Sequence, residues 1–170
     1  KVAQYQGVVQ PNYGRQTVLK VDGNEFLKNK SLSHEVFGPF SMIVECDDES
    51  QLIKLISELD GQLTGTIIGE DHELNQHSDV IAALQNRVGR LIFNGVPTGV
   101  EVCPAMIHGG PYPASSDSRF TAVGIHAVYR WVRPFSYQNW PNDLLPAELQ
   151  NENPLKIMRT INNQPTLSQI

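Results

Sequence analysis

The side chains able to do chemistry in these 170 residues are few, and they gather in three places. Glu35 stands just ahead of Phe37-Gly38-Pro39, so an acceptor-only carboxylate and an aromatic ring flank a backbone turn. His108 stands beside Gly109-Gly110 in a stretch, residues 95–118, punctuated by glycine and proline. Imidazole is the side chain best suited to exchanging protons near neutral pH, although an ordinary loop histidine is the default reading in a generic protein. Asp71, His72, Glu73 and His77 crowd a polar segment. They lack the His spacing of a zinc-binding helix, and a solvated acidic loop is the simpler account, so no metal is expected. Two cysteines, Cys46 and Cys103, are too few for a disulfide framework and form no C-x-x-C pair. Cys46 closes an apolar run and reads as a small core residue. His108-Gly109-Gly110 resembles the oxyanion loop of esterases, but no Gly-x-Ser-x-Gly elbow accompanies it, which excludes serine hydrolysis of that type.

The elements that must position these residues follow from local pattern. Residues 1–16 are polar and turn-rich. Thr17 to Val21 has strand composition and meets the turn signal Asp22-Gly23. Phe40 to Cys46 predicts a buried strand, and Asp47 and Asp48 then offer a helix cap. In the helix that follows, Leu52, Leu55, Ile56 and Leu59 share one face, and Asp60-Gly61 ends it. Leu63 to Ile68 is the next strand. A second helix runs from about Ser78 to Arg87, with Val80, Ile81, Leu84 and Val88 inward and Gly89 as terminator; Leu91 to Phe93 is a third strand. Alternating strands and helices predict an α/β fold, a mostly parallel sheet with helices covering both faces. Asn94 ends the third strand, where it reads equally as a ligand-site residue of a parallel sheet or as half of an Asn-Gly turn. The long loop 95–118 is of the kind that carries function. A third helix is expected from about Arg119 to Val132, ended by Pro134, then a short strand at Phe135 to Tyr137 and a surface tail from Trp140.

Composition sets the class. Hydrophobic residues make up 40% and charged residues 18%, an ordinary globular balance rather than a disordered one. The formal charge of −5 argues against nucleic acid or an anionic membrane as partner. Arg130 and Arg133, the tightest basic pair in the second half, read as one end of a helix rather than a phosphate patch. No apolar run approaches the ~20 residues that span a bilayer. The chain opens Lys1-Val2-Ala3 without a Met or a signal-peptide pattern, so a trimmed chain of reducing, cytoplasmic origin is expected.

Three segments, in order and in register with these elements, resemble the aldehyde dehydrogenase superfamily: Glu35-Val36-Phe37-Gly38-Pro39; Gly89-Arg90-Leu91-Ile92-Phe93-Asn94-Gly95; and Gly109-Gly110 followed by the loop to Arg119. Together they span residues 17 to 138. The run Val96 to Cys103, with Met106 to Ala114, is similar to the branch of 2,5-dioxovalerate (α-ketoglutarate semialdehyde) dehydrogenases and NADP-preferring fatty aldehyde dehydrogenases. Arg133-Pro134, Tyr137-Gln138-Asn139 and Pro141 fit that branch, whereas Pro104 stands where it carries His and Ser136 where Cys is common.

The resemblance implies the C-terminal part of a catalytic domain. In the family a cysteine thiolate attacks an aldehyde or semialdehyde to give a thiohemiacetal, NAD or NADP takes the hydride, and a glutamate-activated water releases the carboxylate. Glu35 then matches the carboxylate that accepts from the nicotinamide-ribose hydroxyls, and Phe37 the aromatic beside that ring. Asn94, His108 and Gly109 match the substrate pocket, with His108 near the thiol. The nucleophile and the general base would lie upstream of this chain, and neither Cys46 nor Cys103 has the nucleophile's context. The piece alone is therefore expected to bind no cofactor and to be inactive. The expected division is residues 1–133 as catalytic-domain portion and 134–170 as an oligomerisation strand and tail, with homo-oligomers resulting. Two alternatives stay open: a stand-alone, non-catalytic binding module on the partial fold, and a small α/β enzyme of another class using Cys103 and His108.

Overall fold

The computed structural model describes residues 2–97 and 99–170; Lys1 and Thr98, both used above, lie outside the described residues. The chain divides into two compact units, Lys1–Trp131 and Val132–Ile170.

In the first unit, strands β1 (Ala3–Gln4), β2 (Thr17–Asp22) and β3 (Phe40–Glu45) form one sheet in that order. β1 runs antiparallel to β2, and β2 pairs with β3 in parallel from Thr17↔Phe40 to Asp22↔Glu45. The crossover carries helix α1 (Gly23–Lys28) and a 3-10 turn, Lys30–Ser33. Asp22-Gly23, read from sequence as a turn, is a helix start: the Asp22 carboxylate accepts from the Asn24 and Glu25 amides at 2.8 and 3.3 Å. Turn and N-cap use the same residue types, because both need a side chain that captures free amides.

Asp48 caps helix α2 (Glu49–Glu58) by accepting from the Gln51 amide at 2.8 Å. Of the expected stripe, Leu55 and Ile56 are buried and Leu52 and Leu59 half-buried. Strands β4 (Gln62–Ile67) and β5 (Val88–Phe93) form a second parallel pair, crossed by a 3-10 segment, Asp71–Gln76, and helix α3 (Ser78–Gln85). Helix α3 packs on α2 and on β5. Val88 and Gly89 belong to β5 and not to the end of α3. The helix closes at Asn86, and the Gln62 amide donates to the Arg87 carbonyl at 2.7 Å, so the ladder starts there.

The α/β class and the parallel pairing stand, with two corrections. The parallel strands form two separate pairs, since β3 and β4 are not hydrogen-bonded to each other. Nor are both faces covered: β3 alternates half-buried and exposed, leaving Ile43 47% exposed. Leu55 and Ile56 are the only hydrophobic residues buried among the described ones. The accessible surface is 12973 Å², against roughly 9,800 Å² for folded chains of this mass even when the two units are counted as separate bodies. The apolar surface is in place, but this chain does not cover it.

The third helix is also corrected. A 3-10 segment, Ile125–Arg130, replaces the expected α-helix. Gly124 at φ +95° cannot continue an α-helix, and the Thr121 hydroxyl donates to the Val123 carbonyl at 2.7 Å, holding 121–123 in a turn.

In the second unit, residues 135–137 pair with no strand among the described residues, and the Phe135 and Tyr137 rings meet edge to face at 5.1 Å. The tail holds a hairpin that the sequence reading did not contain: β6 (Arg159–Ile161) against β7 (Gln164–Thr166). Its two-residue loop, Asn162-Asn163, has φ of 50° and 63°, as a type I′ turn requires. Asn153, 3% exposed, ties this tail together. Its amide donates to the Ile157 and Leu167 carbonyls at 3.0 and 2.9 Å and accepts from the Ile157 amide at 3.1 Å. Arg159 adds hydrogen bonds to the carbonyls of Gln150, Asn151 and Ser168. Asn153 sits at φ 49°, so Asn153→Ala removes the amide and strains the backbone together. The substitution is expected to cost about 1–3 kcal/mol locally, read as faster hydrogen exchange at the Ile157 amide with residues of the first unit unchanged. Unchanged Ile157 protection would refute the lock.

Candidate functional site

The glycine-rich stretch beside His108 lies across the amino ends of β4 and β5, and its position depends on glycine. A Cβ at Gly89 would sit 1.7 Å from the Gly109 carbonyl oxygen; at Gly110 it would sit 2.4 Å from the Gln62 oxygen, and at Gly61 2.0 Å from the Pro111 oxygen. These are backbone-on-backbone approaches that no side chain can share. The Gly61 amide donates to the Tyr112 carbonyl at 3.2 Å, and the Ala114 amide closes a turn on Pro111 at 2.9 Å.

A second set of bonds holds the His108 backbone. Its amide donates to the Thr121 hydroxyl at 2.9 Å, and its carbonyl accepts from the Ala122 amide at 2.9 Å. Thr121 is 4% exposed, and its hydroxyl is satisfied as donor and acceptor at once. The Gly110 amide donates to the Ser115 hydroxyl at 3.0 Å. Thr121 and Ser115 are positioning residues that the sequence reading missed. Hydroxyls downstream of a Gly-Gly pair carry no pattern of their own.

Glu35 lies in the loop that leads into β3, at the same end of the strands. It is exposed and makes no hydrogen bond or ion pair among the described residues. Gly38 at φ +139° lets this loop turn, and the Pro39 carbonyl accepts from the Thr17 amide at 3.0 Å as the strand begins. Glu35, Gly61, Leu63, Pro113 and Ala114 line one cleft of about 620 Å³. A neighbouring cavity of about 570 Å³ shares Leu63 and Ala114 and adds His108, Gly109 and Ser115. Phe37, 96% exposed, borders a groove of about 750 Å³ with Glu35, Phe40 and Met42. The carboxylate, the exposed ring and the glycine-rich loop therefore face adjoining hollows at one end of the sheet pairs.

Asn94 is placed elsewhere. It follows β5 at the carboxyl end, the other end of the strand from Gly89 and Gly109. Its side chain donates to the Gly69 carbonyl at 2.8 Å and accepts from the Gly69 amide at 3.0 Å, with φ 48°. It bridges the ends of β4 and β5, in the manner of the turn residue that was one of its two readings. The structure brings Glu35, His108 and Gly109 to one region and does not bring Asn94 there.

The remaining candidates have structural partners. The Glu73 carboxylate accepts from the Glu70 amide at 2.9 Å, and His77 Nδ1 lies 2.8 Å from the Glu49 carboxylate, joining the starts of α2 and α3. Burial, then the carboxylates of Asp47, Asp48 and Asp22, push the Cys46 thiol above its usual range, away from the thiolate that a nucleophile needs. Cys103 is half-buried in the long loop. Asp117, on the wall of the His108 cavity, is held at about 2 by the hydrogen bonds of Arg119, whose guanidinium binds both carboxylate oxygens.

No family model matches the chain. Curated proteins do. It is 50% identical over 134 residues, 79% of its length, to the alpha-ketoglutaric semialdehyde dehydrogenase of Acinetobacter baylyi, and 46% identical over 142 residues, 84% of its length, to alpha-ketoglutaric semialdehyde dehydrogenase 2 of Azospirillum brasilense. Over the residues shared with these proteins, the chain is similar to semialdehyde dehydrogenases, consistent with the resemblance of its three segments to aldehyde dehydrogenases. The chain spans about a quarter of the length of these relatives, 26% and 27% respectively.

The backbone approach at the amino ends can be tested without any ligand. Gly89→Ala should lower the urea midpoint by the equivalent of about 1–3 kcal/mol, the range for forcing atoms into a packed site, or prevent folding. Gly99, whose Cβ would meet nothing within 4 Å, is the control position. Equal midpoints for Gly89→Ala and Gly99→Ala would show that the loop does not rest on β5.

Proposed function

We propose that this chain is the C-terminal portion of the catalytic domain of an NAD(P)-dependent semialdehyde dehydrogenase. The observation that carries the reading is half identity over four-fifths of the chain to a protein of which the matched residues make up 26%. The uncovered apolar surface agrees with it: two small parallel pairs and one pair of buried aliphatic side chains suit a piece that packs on further chain. The substrate is a semialdehyde, as the relatives' names say of them.

The residues present fit one side of a dinucleotide site. Glu35 offers a carboxylate with no partner among the described residues, at the mouth of a cleft, and accepting from a pair of ribose hydroxyls is chemistry it can do. Phe37 presents a free ring face for a planar heterocycle. The nicotinamide group, when bound, supplies the hydride acceptor. His108, its backbone fixed by Thr121 and Ala122, stands as the group that moves a proton near the reacting carbonyl. Gly109 lets the loop come close, and Asn94 braces the far end of the strands rather than touching substrate. The nucleophilic cysteine is assigned to another part of the protein, because the Cys46 thiol is pushed up and the Cys103 thiol makes no hydrogen bond among the described residues. Residues 134–170 are assigned to contact with a second copy.

The chain of 170 residues, mixed with NAD or NADP and a semialdehyde, should give no reduced cofactor by absorbance. Steady turnover by it would overturn the assignment of the nucleophile elsewhere. In the whole protein carrying this segment, Glu35→Gln should weaken cofactor binding by about tenfold or more, the loss of a charge-assisted hydrogen bond, with the aldehyde KM unchanged. An unaltered cofactor affinity would remove Glu35 from the site.

A further inference from the structure

The carboxyl ends of the parallel pairs leave a hollow that the dehydrogenase reading does not use. Because β3 and β4 are not hydrogen-bonded to each other, a crevice opens beyond their ends, the place where open α/β folds bind ligands. Cys46, next after β3, and Ile67, the last residue of β4, line a cavity there of about 410 Å³. Leu52 of α2, Leu74 of the 3-10 segment, and Val80 and Ile81 of α3 complete its apolar floor, each half-buried. Four carboxylates, those of Asp48, Glu49, Glu70 and Glu73, stand around that floor, and among the described residues no lysine or arginine lines it. Hydrogen-bonding groups here are used within the chain, but their charge is not cancelled. Asp48 accepts from the Gln51 amide at 2.8 Å and Glu73 from the Glu70 amide at 2.9 Å. Glu49 has a partner in His77 Nδ1 at 2.8 Å, charged only while the imidazole is protonated. Asp48, Glu70 and Glu73 make no ion pair among the described residues. The starts of α2 and α3 offset roughly half a charge each, which leaves the rim negative. What the cavity offers is therefore shape, apolar surface and net charge.

We propose that this cavity binds a small organic amine, its apolar body on the floor between α2 and α3 and its ammonium group among Glu49, Glu70 and Glu73. A volume of about 410 Å³ lies in the range of small-molecule sites. A carboxylate that accepts from one amide keeps lone pairs for an N–H donor. An anion of the same shape would meet four carboxylates, and a neutral molecule would gain from the floor alone. The site is separate from the one beside His108: Leu63, near the start of β4, lines that cavity, whereas Ile67, at the end of β4, lines this one. The proposal goes beyond the dehydrogenase reading and does not rest on it.

Phenethylamine, phenylethyl alcohol and phenylpropionate share one apolar body and differ in the head group. Calorimetry on the chain of 170 residues should show the amine binding most tightly, the alcohol more weakly and the carboxylate not at all. Methyl NMR shifts caused by the amine should fall on Leu74, Val80 and Ile81. The double variant Glu70→Gln, Glu73→Gln removes charge and keeps the capping hydrogen bonds, because an amide oxygen accepts as a carboxylate does. It should weaken amine binding by about three- to tenfold, the weight of two exposed charges, and leave the alcohol unchanged. Added salt gives a second reading that needs no variant: amine affinity should fall as charges are screened, and alcohol affinity should not. Phenylpropionate binding as tightly as the amine, an amine affinity indifferent to both the variant and salt, or shifts centred on His108 and Phe37 would each overturn the proposal. So would the absence of amine binding. Because no arm reads turnover, failure of the dehydrogenase reading leaves this site standing, and loss of this site leaves that reading untouched.

Discussion

The contact on which the rest depends is one of backbone against backbone. Residues 109–112 rest on the amino ends of β4 and β5, and Gly61, Gly89 and Gly110 are what allow main-chain atoms to approach so closely. Everything placed near His108 is referred to that contact. The loop positions Ala114 and Ser115; Thr121 then ties the His108 amide to the turn before Gly124, and Arg130 closes the 3-10 segment that follows. A side chain at any of the three glycines would lift the loop, and the two cavities that share Leu63 and Ala114 would lose a wall. Glycine costs conformational entropy on folding, and at these positions the return is a loop held against two strand ends with little apolar packing under it.

That economy matters because burial elsewhere is thin. Leu55 and Ile56 are covered where α2 meets α1 and α3, while Ile43, Leu63 and Ile68 remain open at 47%, 40% and 82% exposure. A folded chain of this size normally removes far more apolar surface from water. The shortfall falls on strand faces and on the Phe37 loop. Order in this piece therefore leans on caps and ladders: Asp22 and Asp48 at helix starts, two parallel registers, and the Asn153 lock in the tail.

How far the sequence revealed this depends on what each signal encodes. Helix α2 was legible because a 3.6-residue apolar stripe and an acidic cap agree, and β2 to β5 because runs of β-branched residues sit between turn signals. The end of α3 was not, since Val88 continues the helical stripe while Gly89 is needed by the loop above it, a contact distant in sequence. The Arg119–Val132 helix failed for a related reason. Its apolar spacing is sound, but Gly124 takes φ +95° and the Thr121 hydroxyl binds across to His108. The β6–β7 hairpin carried its signal in Asn162-Asn163, masked by Pro165, a residue that strands tolerate only at edges. For the site, the residues of Glu35 to Pro39 and His108 to Gly110 were readable as motifs. Which of them share a hollow was not, because facing surfaces are set by crossovers and not by spacing.

The two ends of the parallel strands show why position and not residue type separates a site from scaffold. At the carboxyl ends the polar side chains are consumed by the protein: Asn94 by Gly69, Glu73 by Glu70, His77 by Glu49. At the amino ends several are left over: the Glu35 carboxylate, the Ser115 proton and the Arg130 guanidinium make no hydrogen bond or ion pair among the described residues, and the Phe37 ring lies bare. Exposed groups of these kinds can be satisfied by water, so each alone signifies little. Gathered around hollows that meet at Leu63 and Ala114, they form a set of donors, acceptors and apolar faces with complementary signs. Parallel sheets usually bind ligands beyond their carboxyl ends. Here the glycine-rich loop folds back over the amino ends beside the loop that carries Glu35 and Phe37, so the uncommitted groups gather on connecting segments rather than on the strands.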